Sequence, residues 1–340
     1  MEFGTFFLAG SAAREEASAV YQRLHRFVQE SEELGYDSVW FAEHHFSNYG
    51  YIPNPLLMIT HMAGETSRIR LGTAVLVLPF WNPLRVAEDI ALTDQLTGGR
   101  LEVAVARGYQ PFEFRRFGLD KDDARERTDE TLRILMKALT GQPFEFEGKY
   151  NQIPEVTVFP TSMQRPHPPI WLAAQTLESF ELAAREGLRA FSNASSRPIS
   201  VVVEAWQNYL AAKAKHPGGP DNFGTQIGTV VAETDEEAKK YVDAYVYQTR
   251  QVETLRSGRE HVASGFSEPM PFEGEPSIDE MFEHRMLAGS PETVIKKLQA
   301  YREVADITQL NLTFHGGNMP EEIALRSMRL FAQGVMPKFR

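Results

Sequence analysis

The residues best suited to chemistry stand at the end of a short apolar run. Val39, Trp40, Phe41 and Ala42 have the length and composition of a buried strand, and Glu43, His44 and His45 follow at once. Titratable groups at the end of a buried strand occupy the place where α/β proteins put their chemistry. His44 could act near neutral pH as an acid, a base or a hydrogen-bond donor. The plainer reading is that the histidines cap the strand and satisfy local hydrogen bonds, with Glu43 as a structural acceptor. Neighbouring side chains in extended backbone point to opposite sides, so one histidine faces the strand-end site and the other faces away. Their spacing suits neither a shared helix face nor a common chelate, so His44 and His45 alone make no metal site.

A second group suits an anion. Ala174, Gln175 and Thr176, with Ser179 one turn on, lie between an apolar strand and a helix. Exposed N–H groups at a helix start bind phosphate, and nearby hydroxyls add hydrogen bonds. Arg107, at the end of another apolar strand, offers a charged donor to the same anion. The plainer alternatives are N-capping by Thr176 and an ordinary ion pair for Arg107. Together these groups point to a phosphate-bearing cofactor.

The elements that must position these residues alternate regularly. Strands are predicted at residues 1–8, 39–42, 69–78, 101–106, 169–173, 189–192, 225–232 and 309–314. Helices are predicted at 16–34, 54–65, 83–97, 120–139, 177–186, 199–215 and 235–251, from Ser290 onward, and from Pro320 to about Gly334. In the first helix Val20, Leu24, Phe27, Val28, Ser31 and Leu34 mark one face. Such alternation demands a parallel sheet. Eight units favour a closed (β/α)8 TIM barrel over an open doubly wound sheet, and no Gly-x-Gly-x-x-Gly follows the first strand. The expectation is one domain over residues 1–340, with insertions near 141–167 and 251–288. Residues 257–288, rich in Gly, Pro, Ser and charges, are expected to form a mobile lid.

Composition narrows the partners. The chain has 46 acidic and 35 basic residues, a formal net charge of -11, which argues against general nucleic-acid or membrane-surface binding. There is no cysteine, so disulfides, thiolate catalysis and Cys-ligated metals are excluded. No stretch approaches the roughly 18 apolar residues of a membrane span. Residues 1–8 read as a strand rather than a secretory leader, and a cytoplasmic location is expected.

With the strand ends located, the chain resembles the bacterial luciferase-like flavin monooxygenases, especially the large luciferase subunit. The resemblance runs over nearly the whole chain. It is carried by Phe3-Gly4 with Phe6-Phe7, Glu43-His44-His45-Phe46, Leu71-Gly72-Thr73-Ala74, Leu78-Pro79, Ala87-Glu88-Asp89 with Asp94-Gln95, Arg107-Gly108, Phe117-Gly118 and Val335-Met336-Pro337. Their order and spacing specify the family and not a substrate.

The resemblance implies an FMNH2-dependent monooxygenase, the oxygenase component of a two-component system served by a separate flavin reductase. It would activate O2 as a C4a-peroxyflavin to oxygenate a small organic substrate. His44 matches the family's catalytic histidine. Ala74 and Val75 match a segment whose non-prolyl cis peptide lies under the isoalloxazine ring. Arg107, Gln175, Thr176 and Ser179 match the FMN-phosphate cradle, with Gln175 replacing an acidic residue mainly at a backbone-contact position. His45 and Glu88 match a pair that bonds across the luciferase subunit interface. Both stand in this one chain, so a homodimer packed through the helices near 54–65 and 83–97 could make the contact twice.

Three departures are evident. Ala106 replaces a reactive cysteine, Asn193 and Ala194 change the lining beyond strand six, and residues 257–288 differ from the luciferase lid. The resemblance therefore does not carry light emission or a long-chain aldehyde substrate. Two further readings are an F420-dependent oxidoreductase on the same barrel and a non-catalytic flavin-binding subunit.

Overall fold

A computed structural model describes residues 1–258 and 262–340. Residues 259–261, within the expected lid, lie outside the described residues. Eight parallel strands form the central sheet: β1 Glu2–Phe7, β2 Ser38–Phe41, β3 Arg70–Val77, β4 Leu101–Ala106, β5 Ile170–Ala173, β6 Arg189–Asn193, β7 Phe223–Val231 and β8 Gln309–Thr313. Each pairs with the next, and β8 pairs back with β1, so the sheet closes into the expected (β/α)8 barrel.

Around it lie α1 Ala17–Glu33, α2 Pro55–Ala63, α3 Pro83–Leu96, α4 Ala124–Ala138, α5 Leu177–Arg185, α6 Ser200–Lys215, α7 Asp243–Arg256, α8 Pro291–Val304 and α9 Glu321–Leu330. The strands read as unbroken apolar runs because helices cover their outer face and the barrel interior fills the inner one. In α1 the buried residues are Val20, Leu24, Phe27, Val28 and Ser31, the predicted face without Leu34. Asn54, Asn82 and Ser290 cap α2, α3 and α8, each with proline in the first turn.

The barrel interior is layered. At the N-terminal end Glu102 accepts from Arg70 Nε (2.6 Å) and Trp171 Nε1 (2.7 Å), satisfying a buried carboxylate. Above it Phe6, Trp40, Ala104, Trp171 and Phe191 form one cluster. Trp40 lies 6.0 Å from Trp171, edge to face. Gly72 makes this layer possible, because a Cβ there would come within 2.4 Å of the Trp40 ring. The large rings fill the barrel's centre.

Two expectations need correction. The helix predicted at 120–139 starts only at Ala124, because Asp122 N–H turns back to Asp120 Oδ1. A separate helix, Pro111–Arg116, precedes it. The helix predicted at 235–251 is broken: Asp235–Lys239 ends in tight bonds from Lys240 N to Glu237 O and Tyr241 N to Ala238 O, and α7 then runs on to Arg256. The described residues of the 257–288 segment carry short elements of their own. Val262–Ala263 pairs with Phe266–Ser267 as a small ribbon. Met281, Phe282, Met286, Leu287 and Ala288 are buried in the main core, and Leu287–Gly289 pairs with β7. The excursion at 141–167 holds the expected short strands, Phe144–Glu147 and Gln152–Val156.

Candidate active site

The chain leaves β2 through Ala42, and three polar residues meet buried partners at once. Glu43 accepts from Val77 N–H (2.8 Å), Trp81 Nε1 (3.1 Å) and His45 Nε2 (2.9 Å). Burial pushes its carboxyl above the usual range, and these bonds oppose that shift. Glu43 is thus the structural acceptor expected, tying the end of β2 to the end of β3.

His44 takes a different set of partners. Its Nδ1 lies 3.1 Å from Glu113 Oε1 and 3.1 Å from the side-chain nitrogen position of Gln110. Glu113 also accepts from His45 N–H at 2.8 Å, and its side chain is only 1% exposed. A carboxylate only accepts, and a charge-assisted bond outweighs a neutral one, so the Nδ1 proton belongs toward Glu113. The Gln110 carbonyl oxygen, otherwise without a partner, then belongs toward the ring. This fixes the tautomer and leaves Nε2 as the atom able to take or give a proton.

Two tyrosines extend the network. The Tyr49 ring centre is 4.5 Å from that of His44, and the hydroxyls of Tyr109 and Tyr49 lie 3.1 Å apart. Gln110 also reaches Tyr109 OH, at 3.3 Å. Burial pushes the Tyr109 phenol up to about 12 and Tyr49 well above its ordinary value, so both stay protonated. Gly108, in left-handed backbone (φ 78°), brings this loop tightly over β3; a Cβ there would lie 2.7 Å from Val77.

The peptide between Ala74 and Val75 is cis, as expected. Both residues are half-buried at the C-terminal end of β3 and pack with Tyr109 on the interior cluster. The β3–β4 register shifts there, between Ala74 and Leu76. Arg107 follows β4 and is exposed. On the neighbouring strand, Gln175 and Thr176 are exposed ahead of α5. Val105 pairs with Leu172, so Arg107 and the α5 start share one rim. Thr176 and Ser179 form a reciprocal capping box; Ser179 Oγ accepts from both Gln175 N–H and Thr176 N–H at 3.1 Å.

His45 and Glu88 do not meet within the chain. His45 is bound to Glu43 and packed edge-on against Phe117, while Glu88 on α3 faces Arg85 at 3.7 Å. Sequence reasoning missed Glu113, Gln110, Tyr49 and Tyr109 as partners of His44. The available signals were Pro111, suited to a helix start with Glu113 in its first turn, and Tyr49, four residues past His45.

Arg107 and the exposed Gln175–Thr176 segment share a rim and could hold a phosphate-bearing group, with Ala74 and Val75 half-buried at the end of the strand next to that of Arg107. Comparison with known proteins gives the family. The model of the luciferase-like monooxygenases matches residues 1–306. The chain belongs to that family. The expectation of a luciferase-like flavin-dependent monooxygenase is therefore met.

Among relatives, the oxygenase component of the flavin-dependent trigonelline monooxygenase of Acinetobacter baylyi is 36% identical over 170 residues, covering 49% of this chain and 47% of that protein. The alkanal monooxygenase alpha chain of Photorhabdus luminescens is 26% identical over 365 residues, covering 99% and 97%. The solved monooxygenase RslO1 from Streptomyces bottropensis superposes with a TM-score of 0.87 at 28% identity, covering all of both chains. No helix among the described residues is long and apolar enough to cross a membrane.

Proposed function

We propose that this chain is the cytoplasmic oxygenase component of a two-component system, taking reduced FMN from a separate reductase and using O2 to oxygenate a small organic substrate. The observation that carries this reading is His44, held at Nδ1 by the buried Glu113 at the mouth of a luciferase-like barrel, with Nε2 left for proton exchange. Bound reduced flavin would supply the electrons that activate O2. Arg107 and the N–H groups of Gln175 and Thr176 would hold its phosphate, with the hydroxyls of Thr176 and Ser179 beside them. Ala74 and Val75 would form the apolar floor under its ring. His44 would exchange a proton at Nε2, while Tyr49, the half-buried Tyr109 and the apolar cluster keep water from the reacting edge.

A homodimer fits the same reading. Leu57 on α2 and Leu92 and Leu96 on α3 are exposed apolar residues on the two helices expected at the interface. Glu88 lies on the same α3, where a partner's His45 would be reached. Light scattering at micromolar concentration should give twice the chain mass; a monomer there rejects the dimer.

Stopped-flow absorbance with reduced FMN and O2 tests the chemistry. A slowly decaying flavin–oxygen absorbance, converted to product when substrate is present, is the expected result. Selective turnover with F420, or simple reoxidation at the rate of free flavin, overturns it.

A further inference from the structure

We infer that Asn48 is a positioning residue for the oxygenase reaction: it buckles the 262–267 ribbon to the loop that carries His44 and Tyr49, and the ribbon so held keeps water from the reacting side of the mouth. The inference rests on the monooxygenase reading above and adds a residue that acts through its neighbours.

Asn48 is 3% exposed and turns its polar groups to two distant segments. Toward the loop after β1, its backbone O accepts from Ser11 N–H (3.0 Å) and its Nδ2 donates to Ser11 O (2.8 Å). Toward the ribbon, its backbone N–H donates to Gly265 O (2.7 Å) and its Oδ1 accepts from Ser267 N–H (2.8 Å). A backbone N–H only donates and a backbone carbonyl only accepts, so these partners fix which way the amide is turned. At this length of side chain, only asparagine carries both an acceptor and an N–H donor. An asparagine that merely completes its own loop bonds near neighbours in sequence. The side chain of Asn48 instead bonds residues 37 and 219 positions away.

What Asn48 joins belongs to the candidate site. Tyr49 follows at once, its ring centre 4.5 Å from that of His44 and its hydroxyl 3.1 Å from that of Tyr109. On the ribbon, Val262 packs against the interior cluster with Ala74, Val75 and Tyr109. The Arg14 guanidinium lies 4.9 Å from the Phe266 ring centre and holds the ribbon's second strand. The ribbon pairs Val262–Ala263 with Phe266–Ser267 and turns through Ser264 and Gly265 in left-handed backbone. An isolated hairpin is marginal in water even when longer, so the place of this one is set by what it touches. Loss of the Asn48 side chain should therefore release the ribbon as a local unit and leave the barrel folded. The chemistry needs the ribbon in place. Reduced FMN open to water gives two electrons and two protons to O2, leaving FMN and hydrogen peroxide, and a coupled oxygenase must suppress that side reaction.

The test reads flavin reoxidation and ribbon opening on the intact protein, with no organic substrate added. Protein loaded with reduced FMN is mixed with air-saturated buffer in a stopped-flow instrument, and the hydrogen peroxide formed is measured. Amide exchange through 262–267 is followed by mass spectrometry. Asn48→Ala removes both side-chain bonds. We expect ribbon exchange and peroxide-forming reoxidation each to speed up about tenfold or more, with FMN affinity, read by flavin fluorescence, within about twofold. Arg14→Ala, at an exposed residue, should move both rates the same way by about two- to fivefold, and it carries the test if Asn48→Ala folds poorly. Wild-type reoxidation in a variant whose ribbon exchanges faster overturns the inference. So does ribbon exchange unchanged in both variants. A loss of FMN affinity in Asn48→Ala overturns it as well, because the residue would then serve the cofactor. A wild type that reoxidises reduced FMN at the rate of free flavin, while Asn48→Ala still releases its ribbon, rejects the monooxygenase reading and not the buckle.

Discussion

The two sides of the barrel mouth are built on opposite plans. On the side of β2 and β3, polar groups are buried and already paired: Glu43 with Val77, Trp81 and His45, and Glu113 with His44 and His45. On the side of β4 and β5, Arg107, Gln175 and Thr176 are exposed, and the N–H groups of Gln175 and Thr176 ahead of α5 are held by a neighbouring hydroxyl. A buried carboxylate must be satisfied as the chain folds, since leaving it unpaired costs several kcal/mol. Exposed N–H groups can wait, because water serves them until a stronger acceptor arrives. The first side is therefore fixed by folding, and the second can exchange its weak bonds for an anion.

His44→Ala should separate the two sides most sharply. Coupled product formation should fall about a hundredfold or more, the usual weight of a positioned acid or base, with FMN affinity nearly unchanged. Product mass spectrometry in labelled oxygen beside a flavin titration reads both. Wild-type coupling in this variant would remove chemistry from the buried side altogether.

Glu113→Ala should come next. It strands His45 N–H and the His44 ring proton in a buried place, so stability should fall by about 3 kcal/mol, read from urea midpoints. Loss of the tautomer should also lower coupling. A loss below about 1 kcal/mol would mean that water reaches this pocket, and the contrast in burial would fail.

The buried side should also carry the alkaline sensitivity. Burial pushes Tyr109 up to about 12 from an ordinary value of 10. Between those values the unfolded chain gives up the phenolic proton and the folded chain keeps it. Its contribution is fully present below about pH 10 and is lost as pH rises toward 12, by about 2 to 3 kcal/mol. Urea midpoints between pH 8 and 11.5 should fall less steeply in Tyr109→Phe than in wild type. Parallel curves would show Tyr109 to be solvated like the opposite rim.

The same contrast explains what the sequence discloses. The barrel is legible because its strands are continuous apolar runs and its helices are punctuated by Asn54-Pro55, Asn82-Pro83 and Ser290-Pro291. The open rim is legible too, because Gln175, Thr176 and Ser179 are local: a helix start is written in adjacent residues. The buried side is not. Glu113 lies 69 residues from His44, on a six-residue helix too short to show a period. The break after Lys239 is equally hidden, since Ala238 and Val242 keep helical spacing across it and both are fully buried. Local hydrogen bonds leave a local signature, and long-range ones do not.

The smallest effects belong to the open rim, and they decide whether it is open in the sense argued. Ser179 Oγ accepts from Gln175 and Thr176 N–H and donates to Thr176 O at 2.7 Å. Ser179→Ala should cost about 1 kcal/mol of stability, as for other exposed caps, because water can take over the freed groups. Its effect on FMN should be smaller still. The phosphate loses a hydroxyl but no longer has to displace one from the N–H groups, so affinity should change by less than about fivefold. Arg107→Gln should instead weaken FMN by about tenfold or more, the weight of one charge-assisted bond, with little change in stability. A Ser179→Ala variant as unstable as Glu113→Ala would mean that the rim, too, is fixed by folding.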